Sequence, residues 1–252
     1  MNTSKPRRSA IIVTAVVMGL LMARPGSAQQ TADSPENPDA AGPVELFDGK
    51  TLQGWSGDPQ YWSVEDGVIV GQTREGQQLP HNTFLIWQGQ PVEDFQLELE
   101  YRMSEGNSGL QFRSVDEGNH RVSGYQADFD AGNNYTGIIY EEKGRGILAR
   151  RTRHVMIDST GKRSESDEAT CDEAALLESI RPGDWNTCRV VARGSQLTNS
   201  INGFVTARLD DGEYDKARDS GVIALQLHTG PPMKIEFRNI RLTRLSESQR
   251  QP

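Results

Sequence analysis

Apolar and polar side chains alternate without a break over residues 95–103. This period of two places the apolar side chains on one face of an extended chain, as in a half-buried β-strand and unlike a helix. Shorter segments with the same alternation recur along the chain and are separated by Gly, Asn and Asp. Because each such strand has one face to bury, the pattern predicts an all-β sandwich of two antiparallel sheets.

Local signals agree with an all-β fold. Asn202-Gly203 lies between two strand-like segments and predicts a hairpin, because both central residues of a type I′ turn need positive φ. Residues 107–109 predict another turn, and residues 172–180 form the longest candidate helix, with acids in its first turn. The residues expected between the sheets are Leu97, Leu99, Tyr101, Leu110, Phe112, Leu225 and Leu227.

The beginning of the chain has the pattern of an export signal. Lys5, Arg7 and Arg8 precede an apolar segment, and Gly26-Ser27-Ala28 supplies the small residues of a cleavage site. We therefore expect residues 1–28 to be a cleaved signal peptide, with an uncleaved anchor as the alternative. Residues 29–43 contain no large apolar side chain and are expected to be a flexible leader. Residues 44–245 would then form one exported domain, periplasmic or extracellular, with no membrane attachment after cleavage.

The charge of the chain limits its partners. The formal net charge is −8, and it becomes −12 without residues 1–28, because that segment holds four basic residues and no acidic one. Nucleic-acid binding depends on neutralising phosphates, so a chain this acidic is not expected to bind nucleic acid.

Two cysteines, Cys171 and Cys188, are present. Disulfides persist in oxidising compartments, so an exported chain is expected to pair them. Two unrelated thiols are the alternative.

Polar side chains share faces on three of the expected strands. Amide, guanidinium, carboxylate and imidazole groups in such rows suit sugar hydroxyls, and the carboxylates and the histidine can also transfer protons. Each row taken alone is also compatible with a solvated surface. The residues are Gln111, Arg113, Gln126, Asp128, Asp130, Gln226 and His228, and a further dense cluster is Tyr140, Glu141 and Glu142.

Several motifs stand together in a characteristic order. They are LFDGKTLQGW, YWSVEDGVIVG, YRMSEGNSGLQFRS, GYQADFD, TGIIYEEKGRGIL, GDWN, ING and IALQLHTGPPMKIEFRNIRL, between residues 46 and 242. The ordered set resembles the 3-keto-disaccharide hydrolase domain family, whose members have a concanavalin-like jelly-roll β-sandwich. The resemblance extends over residues 44–243.

The resemblance implies cleavage of glycosides whose sugar carries a ketone at C3. A base removes the acidified C2 proton, the C1 substituent leaves by elimination, and water adds. The implied acid–base candidates are Asp128, Asp130, Glu141, Glu142 and His228. The implied substrate-binding residues are Gln111, Arg113, Gln126, Tyr140 and Gln226. A divalent metal ion held by Asp128, Asp130 or His228 is a further candidate to stabilise the negative charge of the enolate.

The chain departs from the family pattern in one strand. Many relatives have Glu followed two residues later by Gln, where this chain has Gln126 and Asp128. The carboxylate is thus displaced along the same strand face. A non-catalytic carbohydrate-binding module on the same sandwich and a structural surface protein are the alternatives to a hydrolase.

Overall fold

The strands of this protein form two sheets. The computed structural model describes residues 42–246, so the predicted signal peptide and nearly all of the predicted leader lie outside the described residues. The elements are β1 (Val44–Glu45), β2 (Trp55–Ser56), β3 (Trp62–Glu65), β4 (Val68–Thr73), β5 (Thr83–Trp87), β6 (Phe95–Met103), β7 (Asn107–Asp116), β8 (Val122–Asp130), β9 (Ile139–Glu142), β10 (Gly146–Ala149), β11 (Arg153–Ile157), β12 (Arg163–Glu165), α1 (Glu173–Ser179), β13 (Asn186–Arg193), β14 (Gln196–Ile201), β15 (Phe204–Asp211), β16 (Val222–Leu227) and β17 (Met233–Arg244).

The larger sheet has the strand order β12-β11-β15-β14-β13-β6-β17-β4-β3, with β1 also paired to β17. The smaller sheet has the order β10-β9-β8-β7-β16-β5-β2. Within the described residues every pairing of named strands is antiparallel except that of β11 with β15, which is parallel. The predicted all-β sandwich is therefore confirmed, with one parallel pair that the sequence did not predict. No helix in this range is long and apolar enough to cross a membrane.

The core lies between the two sheets and contains every predicted interlayer residue. On β6, buried and half-buried side chains alternate along the whole strand, as the sequence pattern predicts. Aromatic rings connect the layers: Tyr101 of the larger sheet stacks on Phe129 of the smaller one, with ring centroids 3.9 Å apart. Aromatic stacking adds to the stabilisation that burial of these large apolar surfaces already provides.

The predicted hairpin and helix are confirmed. Asn202 and Gly203 have φ of 48° and 87° and join β14 to β15. The helix α1 begins after Asp172, whose carboxylate accepts hydrogen bonds from the amides of Ala174 and Ala175 and so caps the first turn. The turn predicted at residues 107–109 is wrong, because those residues begin β7 and the turn precedes them, with Gly106 at a φ of 79°.

A bulge in β7 overturns the face predicted for Arg113. The pairing of β7 with β8 shifts between Phe112 and Val115, and Arg113 adopts a φ of 45°. Its guanidinium is 1% exposed and donates hydrogen bonds to backbone oxygens of Glu93 and Gly194 and to the carboxylate of Asp94. Arg113 therefore joins loops within the protein, and the structure does not bring it into the cleft with the other predicted substrate-binding residues.

The predicted disulfide is not formed: both cysteines are free thiols. Cys188 lies on β13 and is fully buried, with its Sγ 3.7 Å from Oδ1 of Asn199. Cys171 lies in the segment that leads into α1 and is only partly buried. Cys188 belongs to the hydrophobic core, and Cys171 packs against the edge of the same core without bonding to it.

Replacement of Leu99 by Ala tests the packing of the central strand. Leu99 is fully buried, so we expect the free energy of unfolding to fall by about 2–5 kcal/mol, measured by urea denaturation. The control is Gln96→Ala on the other face of β6, which should change stability by less than about 0.5 kcal/mol. A loss at Leu99 as small as that of the control would contradict the assigned core.

Candidate functional site

A cleft of about 440 Å³ opens on the outer face of the smaller sheet. It brings together residues from β7, β8, β9, β10 and β16 with residues from the loops beside them. The lining residues are Asn82, Asn107, Gln126, Asp128, Asp130, Tyr135, Ile138, Tyr140, Glu142, Ile147, Gln226 and His228. Seven of the predicted site residues therefore meet in one place: Gln126, Asp128, Asp130, Tyr140, Glu142, Gln226 and His228.

The floor of the cleft consists of Gln126, Asp128 and Gln226. Gln126 and Asp128 share one face of β8, whereas Gln226 lies on β16 with β7 between the two strands. Gly109 on β7 makes this arrangement possible, because a Cβ atom there would lie 2.5 Å from Cγ of Gln126. The long side chain of Gln126 thus lies across the backbone of β7.

A relay of hydrogen bonds orients these side chains. Ser114 Oγ donates to Oε1 of Gln111 at 2.6 Å, and Nε2 of Gln111 donates to Oε1 of Gln126 at 2.8 Å. Nε2 of Gln126 in turn donates to Oδ1 of Asp128. Because every bond runs in the same direction, the amide relay ends on the carboxylate. Gln111, predicted to bind substrate, is buried and does not line the cleft; it contacts Gln126 and holds that amide in place.

Asp128 is the most perturbed acid of the cleft. Its pKa is raised from 3.8 to about 7, mainly by burial and also by the nearby charges of Glu142 and Asp130, whereas the hydrogen bond from Gln126 opposes the rise. A carboxyl group with a pKa near neutrality is populated in both protonation states at neutral pH. Asp128 can therefore accept or release a proton there.

Glu142 and His228 are two further ionisable groups that line the cleft. Burial raises the pKa of Glu142, whereas the hydrogen bond from Asn82 and the charge of His228 oppose the rise. Asn82 donates from Nδ2 to Oε1 of Glu142 at 3.4 Å and accepts from the Thr229 amide at 3.0 Å. This asparagine thus ties the loop after β16 to the end of β9.

Asp130 and Tyr135 belong to the rim. Oδ2 of Asp130 accepts hydrogen bonds from the amides of Asn134 and Tyr135 at 2.7 and 3.2 Å, so this carboxylate holds the loop after β8. The ring of Tyr135 is 48% exposed at the mouth of the cleft. An exposed aromatic ring in this place offers an apolar surface to a sugar.

Glu141 does not line the cleft, so the structure does not bring it together with the other predicted acid–base residues. Adjacent residues of a strand point to opposite faces, and Tyr140 and Glu142 take the cleft face of β9. The Glu141 carboxylate is buried and forms an ion pair with Arg145 at 2.6 Å. Arg145 also pairs with Asp211 at 2.6 Å, which makes this cluster a structural one.

The residues present do not fit the predicted divalent metal ion. Within residues 42–246 no group of three or more His, Cys, Asp or Glu side chains is placed to hold a metal. Asp130 already accepts two backbone amides, and Asp128 accepts the amide of Gln126. We therefore assign no step of the chemistry to a metal.

Five of the residues that line the cleft are not predicted by the sequence pattern. Asn82 and Tyr135 come from loops without periodicity, and Asn107 was assigned to a turn instead of to β7. The side-chain rows that revealed the floor depend on strand alternation, which loops lack. The remaining two are Ile138 and Ile147, which give the cleft an apolar part.

The pH dependence of stability tests the environment of Asp128. Ionising a carboxyl whose folded pKa is raised destabilises the folded state, and this effect is absent below about pH 4 and complete above about pH 7. Asp128→Asn removes the effect, so its stability relative to the wild type should rise between pH 4 and pH 8 by up to about 4 kcal/mol. Chemical denaturation at each pH gives this difference. Asp116→Asn, an exposed position on β7, should show no such trend; an equal trend in both variants would contradict the buried acid.

Comparisons with solved structures agree with the fold. A candidate glycosyl hydrolase from Parabacteroides distasonis superposes with a TM-score of 0.53 at 20% identity, over 81% of this chain and 100% of that one. A Bacillus subtilis protein of unknown function with a galectin-like fold gives a TM-score of 0.51 at 11% identity, over 77% and 90% of the two chains. These likenesses support the predicted jelly-roll sandwich.

Sequence comparison identifies the family. The chain is 36% identical over 84 residues to a 3-keto-disaccharide hydrolase of Bacteroides thetaiotaomicron, and this alignment spans 29% of the chain and 27% of the relative. The family model of the 3-keto-alpha-glucoside-1,2-lyase-like domain matches residues 42–243, which is nearly the whole described range. The resemblance stated from the motifs is confirmed, and the chain belongs to the family of 3-keto-alpha-glucoside-1,2-lyase-like domains.

Proposed function

We propose that this protein cleaves 3-keto-glycosides in the cleft of the smaller sheet by elimination followed by hydration. The observation that carries the proposal is a buried carboxyl group in the cleft, Asp128, which accepts a hydrogen bond from the oriented amide of Gln126 and whose pKa is raised to about 7. Membership of the family supports a carbohydrate-acting hydrolase. The 3-keto substrate and the elimination route are what the family resemblance implies, and the acid–base groups that line the cleft are suited to them.

Asp128 is suited to remove the proton from C2 of the sugar. A ketone at C3 makes this proton acidic, because the electron pair left on C2 is delocalised onto the ketone oxygen. A base with a pKa near the working pH combines a sufficient ionised fraction with sufficient basicity. The amide relay holds the carboxylate in place through Gln126.

Glu142 and His228 are suited to protonate the leaving oxygen. When the enolate collapses, the C1–O bond breaks, the C1–C2 double bond forms, and the departing oxygen takes a proton. Water then adds across this double bond, with its hydroxyl on C1 and its hydrogen on C2, so that the sum of the steps is hydrolysis. This route differs from the pair of carboxylates around an oxocarbenium-like state that most glycosidases use.

A carbohydrate-binding module without catalysis explains the site less well. Amides and the exposed ring of Tyr135 would serve binding, but a module has no use for a carboxyl group buried at an energetic cost. Perturbed acids in a cleft occur preferentially where proton transfer takes place.

Substitution of the acid–base residues tests this function. We expect Asp128→Asn and His228→Ala each to lower turnover of a 3-keto-glucoside by about 10²-fold or more, the scale of a general acid or base. Aglycone release should be measured together with the melting temperature, which should not fall in either variant. His81→Ala, at an exposed loop position, is the matched control. Normal turnover in both site variants, or none by the wild type on oxidised substrates, would reject the proposal.

The reaction is proposed to take place outside the cytoplasm, because residues 1–28 have the pattern of a cleaved export signal. The chain recovered after export should then begin near Gln29. N-terminal sequencing checks this expectation, and retention of residues 5–25 in the exported protein would contradict it.

A further inference from the structure

Gln226 has an unused hydrogen-bond donor in the cleft. The residue is 1% exposed, and its Nε2 atom has no hydrogen-bond partner among the described residues. Leaving a buried amide donor unpaired costs free energy, so such a group calls for an explanation. Since Gln226 lines the cleft, a bound ligand can supply the missing acceptor.

The amide relay fixes which end of the Gln226 amide is free. Nε2 of Gln126 donates to the Asp128 carboxylate, which can only accept while it is ionised. The same Nε2 lies 3.5 Å from Oε1 of Gln226. If the Gln226 amide were reversed, two NH₂ groups would face each other. The oxygen of Gln226 is therefore held toward Gln126, and its NH₂ group remains available to a ligand.

This free donor lies beside the base of the proposed reaction. The NH₂ group of Gln126 contacts both the Asp128 carboxylate and the oxygen of Gln226, so a single amide separates the two groups. Removal of a proton next to a ketone requires a base beside the proton and a hydrogen-bond donor beside the carbonyl oxygen. The proton and the carbonyl oxygen belong to adjacent carbons, and negative charge develops on the oxygen as the base takes the proton.

We propose that Gln226 donates a hydrogen bond to the C3 oxygen of a 3-keto sugar and stabilises the enolate that forms when Asp128 removes the C2 proton. In this step the C2–H bond breaks, an O–H bond forms on Asp128, a C2–C3 double bond forms, and the carbonyl electron pair moves to the C3 oxygen. The inference rests on the proposed function of the same cleft. A sugar with a C3 hydroxyl cannot form this enolate, so the step requires the 3-keto substrate of that proposed function.

The test compares Gln226→Met with the wild type on a 3-keto-glucoside carrying hydrogen or deuterium at C2. Met keeps the length of the side chain but removes the donor. We expect kcat to fall by about 10²- to 10³-fold, the usual loss when one oxyanion donor is removed. KM should change far less, and the deuterium isotope effect on kcat should be at least as large as in the wild type. The melting temperature should not fall, because the substitution removes a buried donor whose lack of a partner destabilises the wild type.

The matched control is Gln88→Met, at an exposed position whose amide donates only to the backbone oxygen of Ile86, outside the cleft. It should leave all kinetic constants unchanged. If Gln226→Met does not fold, Gln226→Asn replaces it, because Asn withdraws the donor by one methylene group and should lower kcat in the same sense.

The outcomes separate the two proposals. A rise in KM with unchanged kcat would show that Gln226 only binds a sugar hydroxyl, and it would overturn the donor role. Unchanged constants in a folded Gln226 variant would overturn it as well, with the proposed function intact. If the wild type cleaves no 3-keto-glycoside, the proposed function fails and the donor role fails with it.

Discussion

The buried guanidinium of Arg113 is the interaction on which the smaller sheet depends. A buried charge is tolerated only when it is paired and hydrogen-bonded, and Arg113 meets this condition through Asp94 and backbone oxygens of three separate loops. Its positive φ creates the bulge in β7, and the bulge places Ser114 beside Gln111. The amide relay starts at that contact and ends at Asp128. A structural arginine that does not line the cleft thus helps to orient the floor of the cleft.

The floor of the cleft combines features that oppose stability. Asp128 is buried although it can ionise, and Gln226 is buried with an unpaired donor. Both features would be removed by apolar residues of similar size, and a protein selected only for stability would have no reason to keep them. The rigid sheet beneath makes them tolerable, because β7, β8 and β16 are central strands bonded on both sides. Preorganised polar groups in a low-dielectric site are the arrangement that proton abstraction requires.

Strand alternation predicts most of the core and part of the cleft floor in this protein. It placed Gln126 with Asp128 on one strand face, although only the family resemblance could indicate that β16 lies near β8. The same reasoning failed for Arg113, because a bulge reverses the face of a residue and no local pattern marks it. Glu141 was included with its neighbours although alternation excludes it, and Asn82 was missed because loops have no period. The cysteine pairing failed because compartment says nothing about the distance between two thiols.

The free margins of both sheets have a consequence for the behaviour of the protein at high concentration. The outermost strands are β12 and β3 in the larger sheet and β10 and β2 in the smaller one. Each of these strands has only two to four residues, whereas the central strands β6 and β17 have nine and twelve. Every residue of β12, Arg163–Glu165, is exposed, and it begins and ends with a charge. Such short margins offer few unpaired backbone groups to a strand of another molecule, and the charges of β12 discourage pairing further. Strands make up more than half of the residues matched by the family model. The short outer strands nevertheless disfavour edge-to-edge pairing of several molecules into extended sheets.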